Sequence, residues 1–263
     1  MKTLSIINDR KGGSLFHYAH FIIDCLYVEI INDVYKYDIV YREKNIHQTL
    51  GNFSKIYEEV MKNKNIELVK GEFDSLDIKP VIFERKENYT DIIYLNKFRE
   101  FIFTRYNINS LEYNKNYPEV ILIKRGERIE LIDDESLKKI NTNITTGKER
   151  REIKNIERIE KYLKEKYCDK FKSFYMEKES FQEQVKIFNN AKLIIMAHGA
   201  AISSVLFCKS ETTLIEVTCQ RNFIWFDIFI EKLKINHVKI EKNEPDHIIE
   251  YLDKDIHINS NFS

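Results

Sequence analysis

The sequence predicts an α/β fold of two Rossmann-like domains, with parallel sheets facing a cleft. Three observations lead there. Short apolar strands alternate with longer helical segments along the whole chain, the pattern of parallel sheets joined by helical crossovers. That alternation falls into two runs, parted around residues 110–118. Near residue 200 a buried strand, Leu193–Met196, is followed by a sharp turn at His198-Gly199 and a stretch of small residues. The expected domains are 1–115 and 116–245, with 246–263 as a C-terminal helix and tail. A chain of 263 residues is long enough for two such units.

In order along the first domain, Thr3–Ile7 reads as a strand broken by Gly12-Gly13. The almost continuous apolar content from Ser14 to Val34 predicts a buried helix, and Ile39–Tyr41 a strand. Phe53–Met61 has the spacing of an amphipathic helix, with a strand at Ile66–Val69 after it. Pro80–Phe83 opens another strand. Ile92–Tyr106 predicts a helix that turns Leu95, Phe98, Phe101 and Ile102 inward. The second domain starts with a strongly apolar strand, Val120–Ile123, and a polar, aperiodic loop over 126–147. A helix is expected over 148–167, where Ile153, Ile156, Tyr162 and Leu163 share a face. Phe171–Tyr175 follows as a strand. Ser180-Phe181-Gln182-Glu183 is a capping box opening a helix with Val185 and Phe188 inward. After the turn near 200 come a helix, a strand at Thr213–Val217, a helix near 223–233, a strand at His237–Ile240 and a short helix after Pro245.

Composition excludes several classes. Lys+Arg and Asp+Glu are both 42, so no net field draws the chain to nucleic acid or anionic lipid. Runs such as 148–154, KERREIK, are solvated helix surface. No apolar run reaches the roughly 20 residues of a membrane helix, and MKTLSIINDRKGG is not a signal peptide. Cys25, Cys168, Cys208 and Cys219 lack paired spacing, which argues against zinc and a disulfide framework. Cys25 and Cys208 read as core thiols. The sequons at Asn52, Asn88, Asn143 and Asn261 then read as accidents of an Asn-rich chain in a soluble, reducing compartment.

The strand, turn and helix near residue 200 describe an anion site. The first N–H groups of a helix lack backbone partners and carry partial positive charge, and Gly199 lets a phosphate come close. Glu216, 17 residues beyond Gly199, stands where nucleotide-binding folds hold a ribose diol. His198 suits a phosphate or sugar hydroxyl, or braces the turn. Arg125 follows the Val120–Lys124 strand at its ligand-binding end, and Arg151 lies early in the next helix; the pair suits a diphosphate or simply the surface. Asn155 and Gln184 offer amides to a base or ribose, or to solvent. Ser203 has a hydroxyl within reach of phosphate; Ser204 reads as helix packing.

In FHYAHFIIDCL, residues 16–26, His17, His20 and Asp24 share one helical face. An aspartate one turn from a histidine orients the ring and raises its basicity, the logic of a general base. Metal chelation and plain packing are the other two readings.

Together these pieces resemble glycosyltransferase family 61, inverting sugar transferases of GT-B type. The clearest match is ESFQEQVKIFNNAKLIIMAHGAAISSVLF, 179–207, followed by LIEV, 214–217. Glu183-Gln184, Ala191, His198-Gly199-Ala200, Phe207 and Glu216 fill the family pattern. VILIKR at 120–125 and REIKN at 151–155 look like its two arginine segments. HFIIDCL at 20–26 is similar to its acceptor-side helix, and 223–240 supplies its aromatic helix and following strand. The resemblance implies single displacement from a nucleotide sugar, a UDP-sugar, onto a hydroxyl of a glycan acceptor, with no metal and no other cofactor. It implies Asp24 or His20 as base. The donor would meet Arg125, Arg151, Asn155, Gln184, His198, Gly199, Ala200, Ser203 and Glu216. The chain is short for this class, its 126–147 insertion parts two motifs usually closer together, and it shows no signal anchor. A cytoplasmic enzyme of bacterial or viral type is the expectation. A nucleotide-sugar epimerase or hydrolase would use the same phosphate and ribose groups, and a non-catalytic nucleotide-sugar or glycan-binding module would be a degenerate transferase whose acceptor side is lost.

Overall fold

A computed structural model describes residues 3–7, 18–37, 39–42, 50, 53–61, 67–70, 81–82, 86–126, 153–217 and 224–254. His17, Arg151, Cys219 and the 127–147 stretch lie outside them. The described residues up to Asn109 form one compact unit and those from Ser110 onward a second. Each unit has its own parallel sheet.

The first unit carries β1 (Thr3–Ile7), β2 (Ile39–Arg42), β3 (Glu67–Lys70) and β4 (Val81–Ile82), in the order β3-β2-β1-β4. Its main helix, α1, is composite. An α-turn at Tyr18–His20 passes into a π-helix, Phe21–Tyr27, and returns to α-form at Val28–Ile31. Nearly every side chain from Phe21 to Ile31 is buried, as the unbroken apolar run predicts. The buried Glu29 carboxylate accepts hydrogen bonds from Tyr57 Oη at 2.7 Å and from Cys25 Sγ at 3.4 Å. Tyr57 belongs to α2, Ser54–Met61. Helix α3, Ile92–Tyr106, ends where Asn107 takes a left-handed conformation, φ 52°, a common helix stop. Leu95, Phe98 and Ile102 are buried, while Phe101 is half-buried against the Tyr35 ring.

The second unit carries β5 (Val120–Lys124), β6 (Phe171–Tyr175), β7 (Leu193–Ala197), β8 (Thr213–Val217) and β9 (Asn236–Ile240), in the order β6-β5-β7-β8-β9. Helices α4 (Ile156–Tyr167), α5 (Phe181–Asn190), α6 (Ile224–Lys232) and α7 (Pro245–Lys254) accompany it. Side chains alternate across the sheet. Val120, Leu122, Leu193, Ile195, Ala197, Ile215 and Val217 pack one face with Ile156, Ile159 and Leu163 of α4 and Ile248 and Leu252 of α7. Seven side chains from three adjacent strands thus share a core with two helices, which explains why those strands read so plainly in the sequence. Cys208 and Cys25 are buried thiols.

Two local expectations change. Helix α4 starts at Ile156, because Asn155 takes a left-handed φ of 44° that an α-helix cannot continue through. Asn155 therefore sits in the entry turn with an exposed side chain, although Ile153 before it is buried as predicted. The helix after the turn near 200 is a 3-10 helix, Ala200–Phe207. Ser203 Oγ donates to the Ala200 carbonyl at 2.8 Å, so the hydroxyl takes up an oxygen at the helix start. Among the described residues no helix is long and apolar enough to cross a membrane.

Candidate functional site

Strand order locates the site. In an open parallel sheet, ligands bind beyond the carboxyl ends of the strands, where the chain reverses its direction of winding. In β6-β5-β7-β8-β9 that point lies between β5 and β7, which pair in register from Val120–Leu193 to Ile123–Met196. Arg125 follows the end of β5, and His198-Gly199 follows the end of β7.

His198 is held at three points. Its backbone N–H donates to the Val217 carbonyl at 2.9 Å. Its own carbonyl accepts from Arg125 Nη1 at 3.2 Å. Its ring Nδ1 bonds Glu216 Oε1. Glycine at 199 is favoured by space rather than by backbone geometry, since φ 173° is extended and open to any residue. A Cβ there would stand 2.7 Å from Arg125 Nη1. With a larger residue here the guanidinium would have to draw back from the turn. A fixed cation, a glycine and a turn at the switch point suit a phosphate or diphosphate.

Glu216 lies on the sheet face opposite the α4–α7 core, alternating with Ile215 and Val217, and its side chain is 1% exposed. Both carboxylate oxygens are engaged: Oε1 by His198, Oε2 by His237 Nε2 at 2.8 Å. Burial pushes its carboxyl upward, but the hydrogen bonds and charge of His198 and His237 outweigh that and bring it down to about 2. The ribose reading is therefore not what the geometry favours. A ribose diol would have to displace an imidazole to reach this carboxylate, whereas a brace for His198 fits directly.

The remaining donor-side residues divide. Gln184 is buried, and its Nε2 donates to the carbonyls of Met176 at 2.9 Å and Glu179 at 3.1 Å, tying down the start of α5. Its amide is committed to the fold. Ser180 Oγ accepts from the Glu183 N–H at 3.2 Å, the first half of the capping box. The Glu183 carboxylate turns instead to Tyr117 and Lys186. Ser203 and Ser204 are buried in the 3-10 helix, while Ala200 opens it and is exposed. Asn155 stands before α4, away from any contact that would assign it a ligand. A depression of about 390 Å³ lined by Tyr117, Lys172, Glu183 and Ile187, among others, includes none of the turn residues.

In the first unit, His20 Nδ1 and Asp24 Oδ2 are 2.7 Å apart, with side chains 23% and 19% exposed. The carboxylate thus orients the ring as the spacing predicts. Asp24 lies in the π-helix and His20 at its entry, and π-segments recur at functional sites.

His237 is the member that sequence reading missed. It lies in β9, in register with Leu214, so its side chain shares a sheet face with Glu216. Its Nδ1 is 3.9 Å from Asp227 of α6, and Asp227 pairs with Lys239 at 2.9 Å. The available signal was a histidine inside a half-buried strand, two residues from a lysine on the same face.

No curated protein matches the chain. The glycosyltransferase 61 family model matches residues 18–215, about three quarters of the sequence, from the His20–Asp24 helix through Arg125 and the His198-Gly199 turn into β8. Its span and the motifs inside it decide the matter: the chain belongs to glycosyltransferase family 61.

Proposed function

We propose that the chain is an inverting glycosyltransferase of GT-B type that moves a sugar from a nucleotide-sugar donor, a UDP-sugar, to a hydroxyl of a glycan acceptor. The observation that carries the donor half is Arg125 lying on the His198 carbonyl against Gly199, at the switch point of the second sheet. There the guanidinium, with the N–H groups of Ala200 and Ala201 at the start of the 3-10 helix, would stabilise the charge that gathers on the departing diphosphate, and Arg151 is the second cation the family resemblance assigns to it. The acceptor half rests on the His20–Asp24 pair. With Asp24 at Nδ1, the opposite ring nitrogen is the atom to take the acceptor proton as its oxygen attacks the anomeric carbon. The carbon–oxygen bond to the sugar forms as the bond to diphosphate breaks, and configuration inverts. In this reading Glu216 and Gln184 shape the site rather than touch the donor, and Ser203 and Asn155 are peripheral.

The test is incubation with UDP-, GDP- and CMP-sugars, with and without glycan acceptors, measuring free nucleotide and the anomer formed. Acceptor-dependent release with inversion supports the proposal. Acceptor-independent turnover makes the protein a hydrolase, and binding without release makes it a recognition module. Because arginine supplies the cation in this reading, EDTA should leave turnover within about twofold; a tenfold loss would assign that role to a metal.

A further inference from the structure

Glu216 is a buried acid with an imidazole on each oxygen, and only one of these, His198, belongs to the turn. The second contact runs outward. From Glu216 Oε2 it passes to His237 Nε2, 2.8 Å away, then past His237 Nδ1 to Asp227 at 3.9 Å and Lys239. An ionised carboxylate only accepts hydrogen bonds, so both facing imidazole nitrogens carry protons. We propose that His237 is a positioning residue for the His198-Gly199 turn: its Nε2–H holds the Glu216 carboxylate in the orientation that fixes the His198 ring. This inference rests on reading that turn as the diphosphate grip.

Among the described residues, the titratable and charged groups along this line come from five elements. Glu216 on β8 faces His198 from the β7 turn and His237 from β9. His237 faces Asp227 of α6, whose charge is shared with Lys239 on β9. His198 carries Arg125, from β5, on its carbonyl. Removing His237 leaves Oε2 buried without a donor. Burial, which opposes the charge already, then has fewer opposing contacts, and Glu216 protonates at higher pH. A protonated Glu216 holds His198 less firmly, and the turn with its arginine loosens.

The experiment compares wild type, His237→Phe and His237→Gln as full-length protein. Glutamine places an amide nitrogen close to where Nε2 stood. First, the Glu216 carboxyl carbon is followed by 13C NMR from pH 7 to pH 3.5 without ligand. The wild type should stay ionised throughout, His237→Phe should titrate inside that range, and His237→Gln should return toward wild type. Identical titration of Glu216 in wild type and His237→Phe would overturn the proposal. Second, UDP binding is measured at pH 7.5 and pH 5. The phenylalanine variant should lose about tenfold or more in affinity on acidification, against roughly threefold or less for wild type and the glutamine variant. If the Glu216 titration moves but UDP binding does not, the His237–Glu216–His198 line stands and the diphosphate reading fails. If His237→Phe does not fold, 15N spectra of the wild type decide. Protons on His237 Nε2 and His198 Nδ1 support the proposal, and a lone pair at either overturns it.

Discussion

Replacing Gly199 with alanine separates the space at this turn from its backbone geometry. With φ at 173° the backbone accepts alanine without strain, and the lower entropy of the unfolded chain favours the variant by about 0.4–1 kcal/mol. The new Cβ would stand 2.7 Å from Arg125 Nη1, so the guanidinium must retreat by about 0.7 Å to reach ordinary contact. Its 3.2 Å bond to the His198 carbonyl then stretches to about the limit of a hydrogen bond. A charged hydrogen bond at a half-buried site contributes about 1.5 kcal/mol, so the net destabilisation is roughly 0.5–1 kcal/mol. Thermal unfolding should fall by about 1–4 °C. Activity should respond far more, because a displacement near 1 Å of a charge-stabilising group costs up to about a hundredfold in rate. The assay pairs a melting curve with acceptor-dependent nucleotide release. Gly126→Ala is the control: the atoms nearest its Cβ belong to the outer end of Glu177, an exposed side chain that can swing away from the overlap. Full transfer activity in Gly199→Ala, or an equal loss in Gly126→Ala, would refute the reasoning.

Three further outcomes test other parts of the molecule. His20→Ala and Asp24→Asn should each lower transfer by about a hundredfold with donor affinity unchanged, and a loss under about tenfold in both would remove the pair from the base role. Glu216 is lowered on folding from its ordinary 4.5 to about 2, so its stabilisation is complete above pH 4.5 and lost as pH falls through 2. At about 1.4 kcal/mol per pH unit the ceiling is roughly 3 kcal/mol, read as a gap in urea denaturation between wild type and Glu216→Gln that closes on acidification. Parallel acid curves for the two would contradict the buried anion. Gln184→Ala should cost about 1–3 kcal/mol of stability while leaving the Michaelis constant for donor within about twofold, since its amide serves two backbone carbonyls. A selective rise in that constant would return Gln184 to the donor site.

Strands were the most legible part of the fold. Val120–Ile123 and Leu193–Met196 are apolar at every position because β5 and β7 lie inside the sheet and are covered on both faces. The helix at Ile92–Tyr106 is legible at both ends in the sequence. Less legible was the stretch AAISSVLF, since small and hydroxyl-bearing residues fit either helix type, and the bond from Ser203 to Ala200 appears only in three dimensions. The π-form of Phe21–Tyr27 left no mark on an apolar run that any buried helix would share. Glu216 shows the other limit. An acid near a strand end reads as a ligand for something arriving from solvent. It is closed off by imidazoles 18 and 21 residues away, and their pairing with it depends on strand order and register. The His20–Asp24 pair was readable for the opposite reason, since both partners lie on one helix four residues apart.

The line from Arg125 to His237 takes one member from each of four neighbouring strands or their ends, β5, β7, β8 and β9. None of these contacts can form locally during folding. The brace on the turn, Glu216 of β8, is itself secured by His237 only when the last strand has docked, and the loops to be closed before then are long. Competence at this site is therefore a late event in the life of the chain. A partly folded second unit, with β9 still loose, would hold its arginine and glycine yet lack the order that makes them a site. Ligand binding would then report on completion of the sheet, and a bound diphosphate would in turn protect the edge strand from fraying.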